Sequence, residues 1–214
     1  MMRIGHWIGG EDTHGRSGVT GPVFDPSVGT QTATVDLADE AEVDRAVQAA
    51  KEAASEWGST SLSHRTAIMF CFRNLLDSHR EELAEIVSRE HGKVVSDARG
   101  EVARGIENVE FSCGLAQALK GASSTEVSTG GDVHTVLEPL GVVAGITPFN
   151  FPVMVPLWMI SNGLACGNTF ILKPSEKDPS AAMLIGRLLQ RAGLPDGSFN
   201  VVNGDRRTVE AILG

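Results

Sequence analysis

The sequence predicts an α/β fold in which a parallel β-sheet with flanking helices is preceded by a helical segment and carries a projecting β-hairpin. Three observations predict this fold. From residue 141 onward, continuous apolar runs alternate with helical patterns. Before that point, amphipathic helical patterns follow one another between residues 39 and 120. A stretch rich in Ser, Thr and Gly at residues 121–131 separates the two regions and is typical of a break with turns.

The amino-terminal segment precedes the first of these helices. Residues 1–37 are rich in Gly, Thr, Asp and Pro and contain only short apolar pieces, which favours strands or a hairpin lying over the surface. Asp39 followed by Glu42 resembles a capping box and predicts the start of the first helix. A second helix is predicted from Ser61. A third is predicted to end at Gly92, because glycine readily adopts the left-handed conformation that closes helices.

A fourth helix, predicted over residues 97–120, carries apolar residues on two faces. One face is a regular stripe formed by Val102, Ile106, Val109, Cys113 and Ala116. The opposite face carries Arg104, Asn108, Phe111 and Leu115. A face with Phe and Leu beside an Arg is less typical of a solvated surface than a fully charged face. We therefore expect this helix to be covered on both sides.

The second half of the chain predicts a hairpin and then a layered sheet. Residues 122–129 and 132–140 are predicted to pair as the projecting hairpin. Strands are predicted at 141–146, 169–173 and 199–202, and helices at 152–166, 178–192 and 206–213. This order, with strands that are apolar throughout, is typical of a Rossmann-like parallel sheet covered on both faces. Right-handed crossovers bring the carboxyl ends of such strands to one edge, where ligands bind.

Two segments with polar side chains fall at that edge, residues 147–152 and 174–177. Asn150 lies between two aromatic residues at a strand-to-helix junction. Its side chain could cap the following helix, or its amide could donate to a developing oxyanion, which requires a neutral and rigidly held donor. The spacing alone favours the cap. Lys173 and Glu176 likewise allow two interpretations, an exposed ion pair or a pair that holds the vicinal hydroxyls of a ribose.

Composition and charge exclude several classes of function. The chain has 214 residues, of which 42% are hydrophobic, and a formal charge of −9. This charge gives no footprint for nucleic acid or for an anionic membrane, so small-molecule chemistry is the default expectation. Apolar stretches such as residues 153–160 are far shorter than a membrane span, and the first residues lack the apolar core of a signal peptide. The sequence is therefore interpreted as that of a cytoplasmic protein.

The cysteines do not indicate a disulfide framework or a metal site, and the sequence contains no standard phosphate-binding loop. Cys71, Cys113 and Cys166 have no CxxC spacing, so neither a disulfide framework nor a metal site is predicted. Each is interpreted as a buried structural cysteine. The sequence also lacks a G-x-G-x-x-G after a strand and a Walker motif.

Two ordered motifs carry a resemblance to a known family. Residues 141–158 read GVVAGITPFNFPVMVPLW and residues 167–176 read GNTFILKPSE. Together they resemble the aldehyde dehydrogenase superfamily. The PFNFP form, and HGKVVSDARGEVARGIENVEFSC at residues 91–113, resemble its CoA-acylating, methylmalonate-semialdehyde dehydrogenase subfamily. The resemblance extends over essentially the whole chain.

The resemblance implies a partial aldehyde dehydrogenase fold. It implies that residues 1–120 form the amino-terminal part of an NAD-binding domain, with strands and four helices. Residues 121–140 would be an oligomerisation hairpin, an exposed ribbon that needs a partner subunit to cover its edge. Residues 141–214 would be a truncated βαβαβ part of the same domain. The catalytic domain, with the cysteine nucleophile, would lie beyond residue 214.

The resemblance also implies roles for particular residues. Asn150 would be the side-chain half of an oxyanion hole, which replaces the cap interpretation. Arg104 would hold the distal carboxylate of the substrate, a role that suits guanidinium geometry. The NAD site would be lined by Ile146, Thr147, Pro148, Phe149, Lys173, Pro174, Ser175, Glu176 and Lys177. Lys173 and Glu176 would contact the adenosine ribose.

The activity implied for the whole enzyme is the NAD-dependent oxidation of methylmalonate or malonate semialdehyde to an acyl-CoA, with CoA as co-substrate. The implied assembly is a homo-oligomer, a dimer or a tetramer. The 214-residue chain alone is expected to be inactive. Two alternatives remain open at this point. One is a non-acylating dehydrogenase of another semialdehyde such as succinate semialdehyde, and the other is a non-catalytic nucleotide-binding or assembly fragment.

Overall fold

A computed structural model describes residues 2–214 and contains strands and helices in the predicted order. The strands are β1 (Met2–Ile4), β2 (His6–Ile8), β3 (Glu11–Thr13), β4 (Thr20–Asp25), β5 (Thr30–Asp36), β6 (Ser123–Ser128), β7 (Gly131–His134), β8 (Val142–Ile146), β9 (Thr169–Lys173) and β10 (Phe199–Val201). The helices are α1 (Glu40–Ser59), α2 (Leu62–Ser78), α3 (Arg80–His91), α4 (Val95–Cys113), α5 (Leu115–Ala118), α6 (Met154–Ala165), α7 (Ser180–Arg191) and α8 (Arg206–Leu213). The predicted α/β fold class is confirmed.

The central sheet has the strand order β3-β2-β10-β9-β8. β8, β9 and β10 are parallel, with Ile146 opposite Lys173 and Leu172 opposite Val201. Their carboxyl ends therefore meet at one edge, as predicted. β9 is buried throughout because it lies between two strands, whereas β8 lies at the end of the described sheet and is partly exposed.

Helices cover both faces of this sheet. α1 and α8 pack on one face, where Ile171 and Val202 join the apolar side of α1. α6 and α7 pack on the other face, against Phe170 and Leu172, with α2, α3 and α4 beyond them. Adjacent residues of β9 point to opposite faces, so an unbroken apolar strand buries side chains in both layers.

The amino-terminal segment forms strands, as predicted. β1, β5 and β4 make a separate three-stranded sheet, while β2 and β3 extend the central sheet beside β10. The predicted capping box is present, because Asp39 Oδ1 accepts from the Glu42 amide and the Glu42 carboxylate accepts from the Asp39 amide. Ser61 caps α2, and Gly92 ends α3 at φ 87°. The predicted hairpin is formed by β6 and β7.

The fourth helix departs from its predicted extent and surface. α4 ends at Cys113, because Gly114 is a weak helix former, and the short α5 follows it. Its predicted apolar stripe is buried from Val102 to Cys113. The expectation that the opposite face is covered was wrong for Arg104 and Phe111, which are exposed.

α4 contacts α6 through a different set of residues. Gly105 allows the close approach, since a Cβ at this position would lie 2.7 Å from Leu157 Cδ1. Asn108 Oδ1 accepts hydrogen bonds from Ser161 Oγ at 3.0 Å and Asn162 Nδ2 at 3.2 Å. Small and polar residues on this second face thus take the place of the expected Phe111 contact, while Leu115 is half-buried and packs against the core.

Other sequence predictions also need correction. α6 begins at Met154 rather than residue 152, and α7 begins at Ser180 rather than residue 178. Cys71 is exposed rather than buried, because it lies outside the buried stripe of α2. Cys166 is half-buried, and Cys113 is buried as predicted. None of the helices within residues 2–214 is long and apolar enough to cross a membrane.

Candidate functional site

Both predicted loops lie together at the carboxyl edge of the parallel sheet. The Thr147 amide donates to the Lys173 carbonyl at 3.1 Å, directly after the last paired residues of β8 and β9. The sequence order alone would separate these loops by more than twenty residues, and the parallel pairing removes that separation. The residues predicted to hold a dinucleotide are therefore neighbours in space.

The loop after β8 presents both buried and exposed groups. Thr147 is buried, and its Oγ1 has no hydrogen-bond partner within residues 2–214. Ile146, Pro148 and Phe149 are exposed. A buried hydroxyl without a partner is costly unless a ligand or water satisfies it. This edge therefore combines a buried polar group with exposed apolar groups.

The loop after β9 is ordered around an ion pair. Lys173 Nζ donates to Glu176 Oε2 at 3.3 Å, and the two side chains are 6% and 40% exposed. Ser175 Oγ accepts from the Lys177 amide at 3.0 Å, which tightens the turn. Because Lys173 is buried, it holds the accessible carboxylate of Glu176 at the edge of the sheet. That carboxylate can accept hydrogen bonds from a ribose hydroxyl.

Asn150 does not cap the helix that follows it. Its side chain is exposed and forms no hydrogen bond in the described part of the chain. The amino-terminal end of α6 is instead capped by Glu101 of α4, whose Oε1 accepts from the Val153 amide at 2.8 Å and the Met154 amide at 3.2 Å. The cap interpretation of Asn150 was therefore wrong, and its amide is free to donate to a ligand.

Lys93 links Glu101 to the turn that contains Asn150. Its Nζ donates to Glu101 Oε2 at 2.6 Å and to the backbone oxygen of Asn150 at 3.0 Å. The same ammonium lies 4.6 Å from the ring centroid of Phe151. A lysine in the connection between α3 and α4 thus contacts Asn150, the residue after it, and the carboxylate that caps α6.

Phe149, on the other side of Asn150, is exposed but has contacts on its ring. Its ring stacks on His91 with a centroid distance of 6.1 Å and an interplanar angle of 25°. Lys177 Nζ lies 4.7 Å from the same ring. Burial, and then the nearby Lys93 ammonium, lower the pKa of His91. A neutral imidazole therefore faces Phe149 near neutral pH.

A cavity of about 460 Å³ opens beside this stack. It is lined by Pro22, Phe24, Pro26, Glu90, His91, Phe149, Glu176, Lys177 and Asp178. Two buried carboxyl groups lie in its wall. Burial, with a smaller contribution from the nearby Glu90 carboxyl group, raises the pKa of Asp178 to about 7, and burial also raises the pKa of Glu90. Glu90 Oε2 accepts from the Ser180 amide at 3.1 Å, at the start of α7.

Sequence reasoning missed Lys93, Glu101, Glu90 and Asp178. One signal was available for Glu101. It lies four residues before Gly105, so the two share a helix face, and a glycine within a helix often marks the close approach of another element. No local pattern reveals that Lys93 reaches Asn150, because the two residues are 57 positions apart.

Arg104 lies on α4 three residues after Glu101, which corresponds to about 4.5 Å along the helix axis. It is exposed and forms no ion pair within residues 2–214. The structure thus leaves its guanidinium exposed at the middle of α4. Its predicted contact with a substrate carboxylate stays a prediction.

The cysteines lie away from this edge or outside the core. Cys166 precedes β9 and so lies at the opposite edge of the sheet, roughly 16 Å away across a five-residue strand. Cys113 follows Glu101 by twelve residues of α4, or about 18 Å. Burial raises the pKa of both thiols. Neither has the lowered pKa and open surroundings of a nucleophile.

Comparisons of this chain with a family model and with known proteins agree with one another. The model of the aldehyde dehydrogenase family matches residues 13–214. A malonate-semialdehyde dehydrogenase of Pseudomonas aeruginosa is 46% identical over 213 residues, which cover 100% of this chain and 43% of that protein. The acylating, mitochondrial methylmalonate-semialdehyde dehydrogenase of Arabidopsis thaliana is 42% identical over 210 residues, which cover 98% of this chain and 35% of that protein.

A solved structure shows the same similarity in three dimensions. It is described as a methylmalonate-semialdehyde dehydrogenase from Sinorhizobium meliloti 1021 complexed with NAD, and it matches with a TM-score of 0.98 at 44% identity. The match covers 100% of this chain and 44% of that one, so the chain spans less than half the length of these relatives. Since the family model covers nearly all of its residues, the chain belongs to the aldehyde dehydrogenase family.

Proposed function

We propose that this chain provides the cofactor edge and one oxyanion donor for the NAD-dependent, CoA-acylating oxidation of malonate or methylmalonate semialdehyde. The observation that carries the proposal is the hydrogen bond from the Thr147 amide to the Lys173 carbonyl, which joins the Asn150 loop to the Glu176 loop. A group bound at Glu176 and a group bound at Asn150 would therefore share one edge of the sheet.

NAD fits the residues at this edge, and when bound it supplies the hydride acceptor. Lys173 holds the Glu176 carboxylate where it can accept hydrogen bonds from ribose hydroxyls. Thr147 offers a buried hydroxyl that lacks a partner in the described residues, and Phe149 offers an exposed apolar ring. The remaining predicted residues, Ile146, Pro148, Pro174, Ser175 and Lys177, flank these groups.

Glu176 favours NAD over NADP. A carboxylate beside the ribose accepts hydrogen bonds from free hydroxyls but repels a 2′-phosphate. Lys173 and Lys177 act weakly in the other direction because either could pair with that phosphate. Lys173, however, is 6% exposed and already paired with Glu176, which reduces its ability to hold a phosphate.

Asn150 provides the neutral donor for the aldehyde. When a nucleophile adds to the carbonyl carbon, the carbonyl oxygen takes the negative charge, and the Asn150 amide N–H can donate to it. The side chain is exposed and forms no internal hydrogen bond within residues 2–214, so the donor is available. The nucleophile itself would come from outside this chain, because Cys113 and Cys166 are remote from the edge.

The substrate class follows from Arg104 and from the relatives. The Arg104 guanidinium, which forms no ion pair within residues 2–214, suits the distal carboxylate of a semialdehyde acid, which it can hold with two parallel hydrogen bonds. The P. aeruginosa relative is named for malonate semialdehyde, and the A. thaliana relative is named as acylating. These names support malonate or methylmalonate semialdehyde as substrate and CoA as the acyl acceptor.

The hairpin of β6 and β7 supports assembly into a homo-oligomer. Its residues are almost all exposed, and Val127, Val133, Val136, Leu137 and Leu140 expose large apolar side chains on it or just after it. An exposed two-stranded ribbon is marginal alone and gains stability when a second copy pairs with its edge. A dimer or tetramer in the full-length enzyme would cover these side chains.

The test uses a hybrid enzyme, in which this chain replaces the matching part of the P. aeruginosa relative. We expect the hybrid to reduce NAD with malonate semialdehyde and CoA. Asn150→Ala should lower kcat by about 10²-fold, as for the loss of one oxyanion donor. Asn74→Ala, which changes an exposed asparagine of α2, is the matched control. Normal turnover by folded Asn150→Ala protein would refute the oxyanion role.

A further inference from the structure

We propose that Lys93 is a positioning residue that fixes the Asn150 amide at the edge of the sheet, together with Glu101. The proposal rests on the proposed function, because it concerns the donor that Asn150 provides. A single ammonium contacts the Asn150 carbonyl at 3.0 Å and the Glu101 carboxylate at 2.6 Å. In this proposal Lys93 does not touch the substrate and acts on the reaction through the position of Asn150.

The Asn150 turn needs such support because its own side chain provides none. That side chain forms no hydrogen bond in the part of the chain that the structure describes. An oxyanion donor contributes most when it is held in place before the reaction, so the backbone must fix its direction. Lys93 holds the carbonyl of Asn150 itself, and Glu101 holds the amides of Val153 and Met154.

Burial strengthens the interaction between Lys93 and Glu101. Glu101 is 3% exposed and Lys93 has a side-chain exposure of 13%. In such surroundings each charge needs the other, and a hydrogen bond to a charged group is stronger than one between neutral groups. The Lys93 ammonium also lies 4.6 Å from the Phe151 ring centroid, a cation–π contact on the residue after Asn150. Movement of the turn would break both of its contacts with the Lys93 ammonium, at the Asn150 carbonyl and at the Phe151 ring.

The first test measures the turn in the 214-residue chain by ¹⁵N relaxation. In the wild-type chain we expect the backbone amide of Asn150 to be as ordered as the backbone amides of α6, with an order parameter of about 0.85. In Lys93→Met it should fall below about 0.6, while α6 stays ordered from Leu157 onward. Lys51→Met, at an exposed lysine of α1, is the matched control and should change nothing. If the backbone amide of Asn150 is as ordered in Lys93→Met as in the wild-type chain, the proposal is overturned.

The second test is a double-mutant cycle in the hybrid enzyme. Lys93→Met should lower kcat by about 10-fold, with the KM values for NAD and the semialdehyde within about 2-fold of wild type. Lys93→Arg keeps a cation and should retain most of the turnover. Combining Lys93→Met with Asn150→Ala should lower kcat no further than Asn150→Ala alone, about 10²-fold. A purely structural role would make the two losses multiply to about 10³-fold.

The outcomes separate the two proposals. If Asn150→Ala turns over normally, the oxyanion role fails and the positioning role fails with it. If Asn150→Ala is slow but Lys93→Met is normal, or if the losses multiply, only the positioning role fails. Should Lys93→Met not fold, Glu101→Gln replaces it in the same cycle, with Glu107→Gln at an exposed position of α4 as its control.

Discussion

Glu101 Oε1 lies 2.8 Å from the backbone nitrogen of Val153, so a side chain on α4 caps a helix that begins 53 residues later, at Met154. Glu101→Leu should destabilise the chain by about 3–5 kcal/mol, since it leaves the Lys93 ammonium without its partner and the first amides of α6 without an acceptor. Urea unfolding of the 214-residue chain measures this change.

Glu107→Leu is the control for that substitution. Glu107 is exposed on the same helix and forms no ion pair within residues 2–214. A surface change of this kind should alter the free energy of unfolding by no more than about 0.5 kcal/mol. If the two variants have the same stability, the long-range cap makes no net contribution.

The buried carboxyl group of Asp178 should make stability depend on pH. Burial raises its pKa to about 7 in the folded chain, from an ordinary value near 3.8. Between these values the folded chain binds a proton that the unfolded chain has released, so stability falls as pH rises from about 4 to about 7. At pH 8 the free energy of unfolding should be lower than at pH 4 by an amount on the order of 2–4 kcal/mol. The measurement is urea unfolding at pH 5 and at pH 8.

Asp178→Asn removes this titration while keeping the shape of the side chain. We expect it to be more stable than wild type at pH 8 and close to wild type at pH 5. Glu90, whose pKa burial also raises, faces Asp178 and keeps part of the pH dependence in the variant. Asp44→Asn, at an exposed aspartate of α1, should match wild type at both pH values. Equal pH dependence in Asp178→Asn and wild type would contradict the raised pKa.

Local patterns predicted most of the fold. β9 was predicted to run from Thr169 to Lys173 because residues 169–172 form a continuous apolar and β-branched run, and the structure has these bounds. The start of α1 was predicted from Asp39 and Glu42, which form the capping box within one turn of helix. Signals of this kind are local, so the sequence contains them in full.

The site was predictable only in part, because its geometry depends on long-range contacts. Parallel pairing brought Thr147 and Lys173 together, and an alternating order of strands and helices is enough to predict that. Spacing alone favoured Asn150 as the cap of α6, whereas Glu101 provides the cap from another helix. No rule based on spacing along one segment can find a donor or acceptor that folding brings from 52 positions away.

Arg104 should distinguish substrates by charge. Arg104→Lys in the hybrid enzyme should raise KM for malonate semialdehyde by roughly tenfold or more, because an ammonium cannot form the two parallel hydrogen bonds of a guanidinium. KM for propanal, which lacks the carboxylate, should change little. Arg99→Lys, at an exposed arginine of the same helix, should leave both values unchanged. Equal increases for both aldehydes would remove Arg104 from the substrate site.

The 214-residue chain by itself should show no dehydrogenase turnover with malonate semialdehyde, methylmalonate semialdehyde or propanal, in the presence of NAD and CoA. Covalent oxidation of an aldehyde needs an activated thiol within reach of the oxyanion donor and the cofactor. Cys166 lies at the opposite edge of the sheet, Cys113 is about 18 Å along α4 from Glu101, and burial raises the pKa of both. Cys71 is exposed on α2. NADH absorbance is measured for the chain and for a variant with all three cysteines changed to Ala. Turnover that the variant loses would show that one of these cysteines is a nucleophile and that the active site lies elsewhere in the chain.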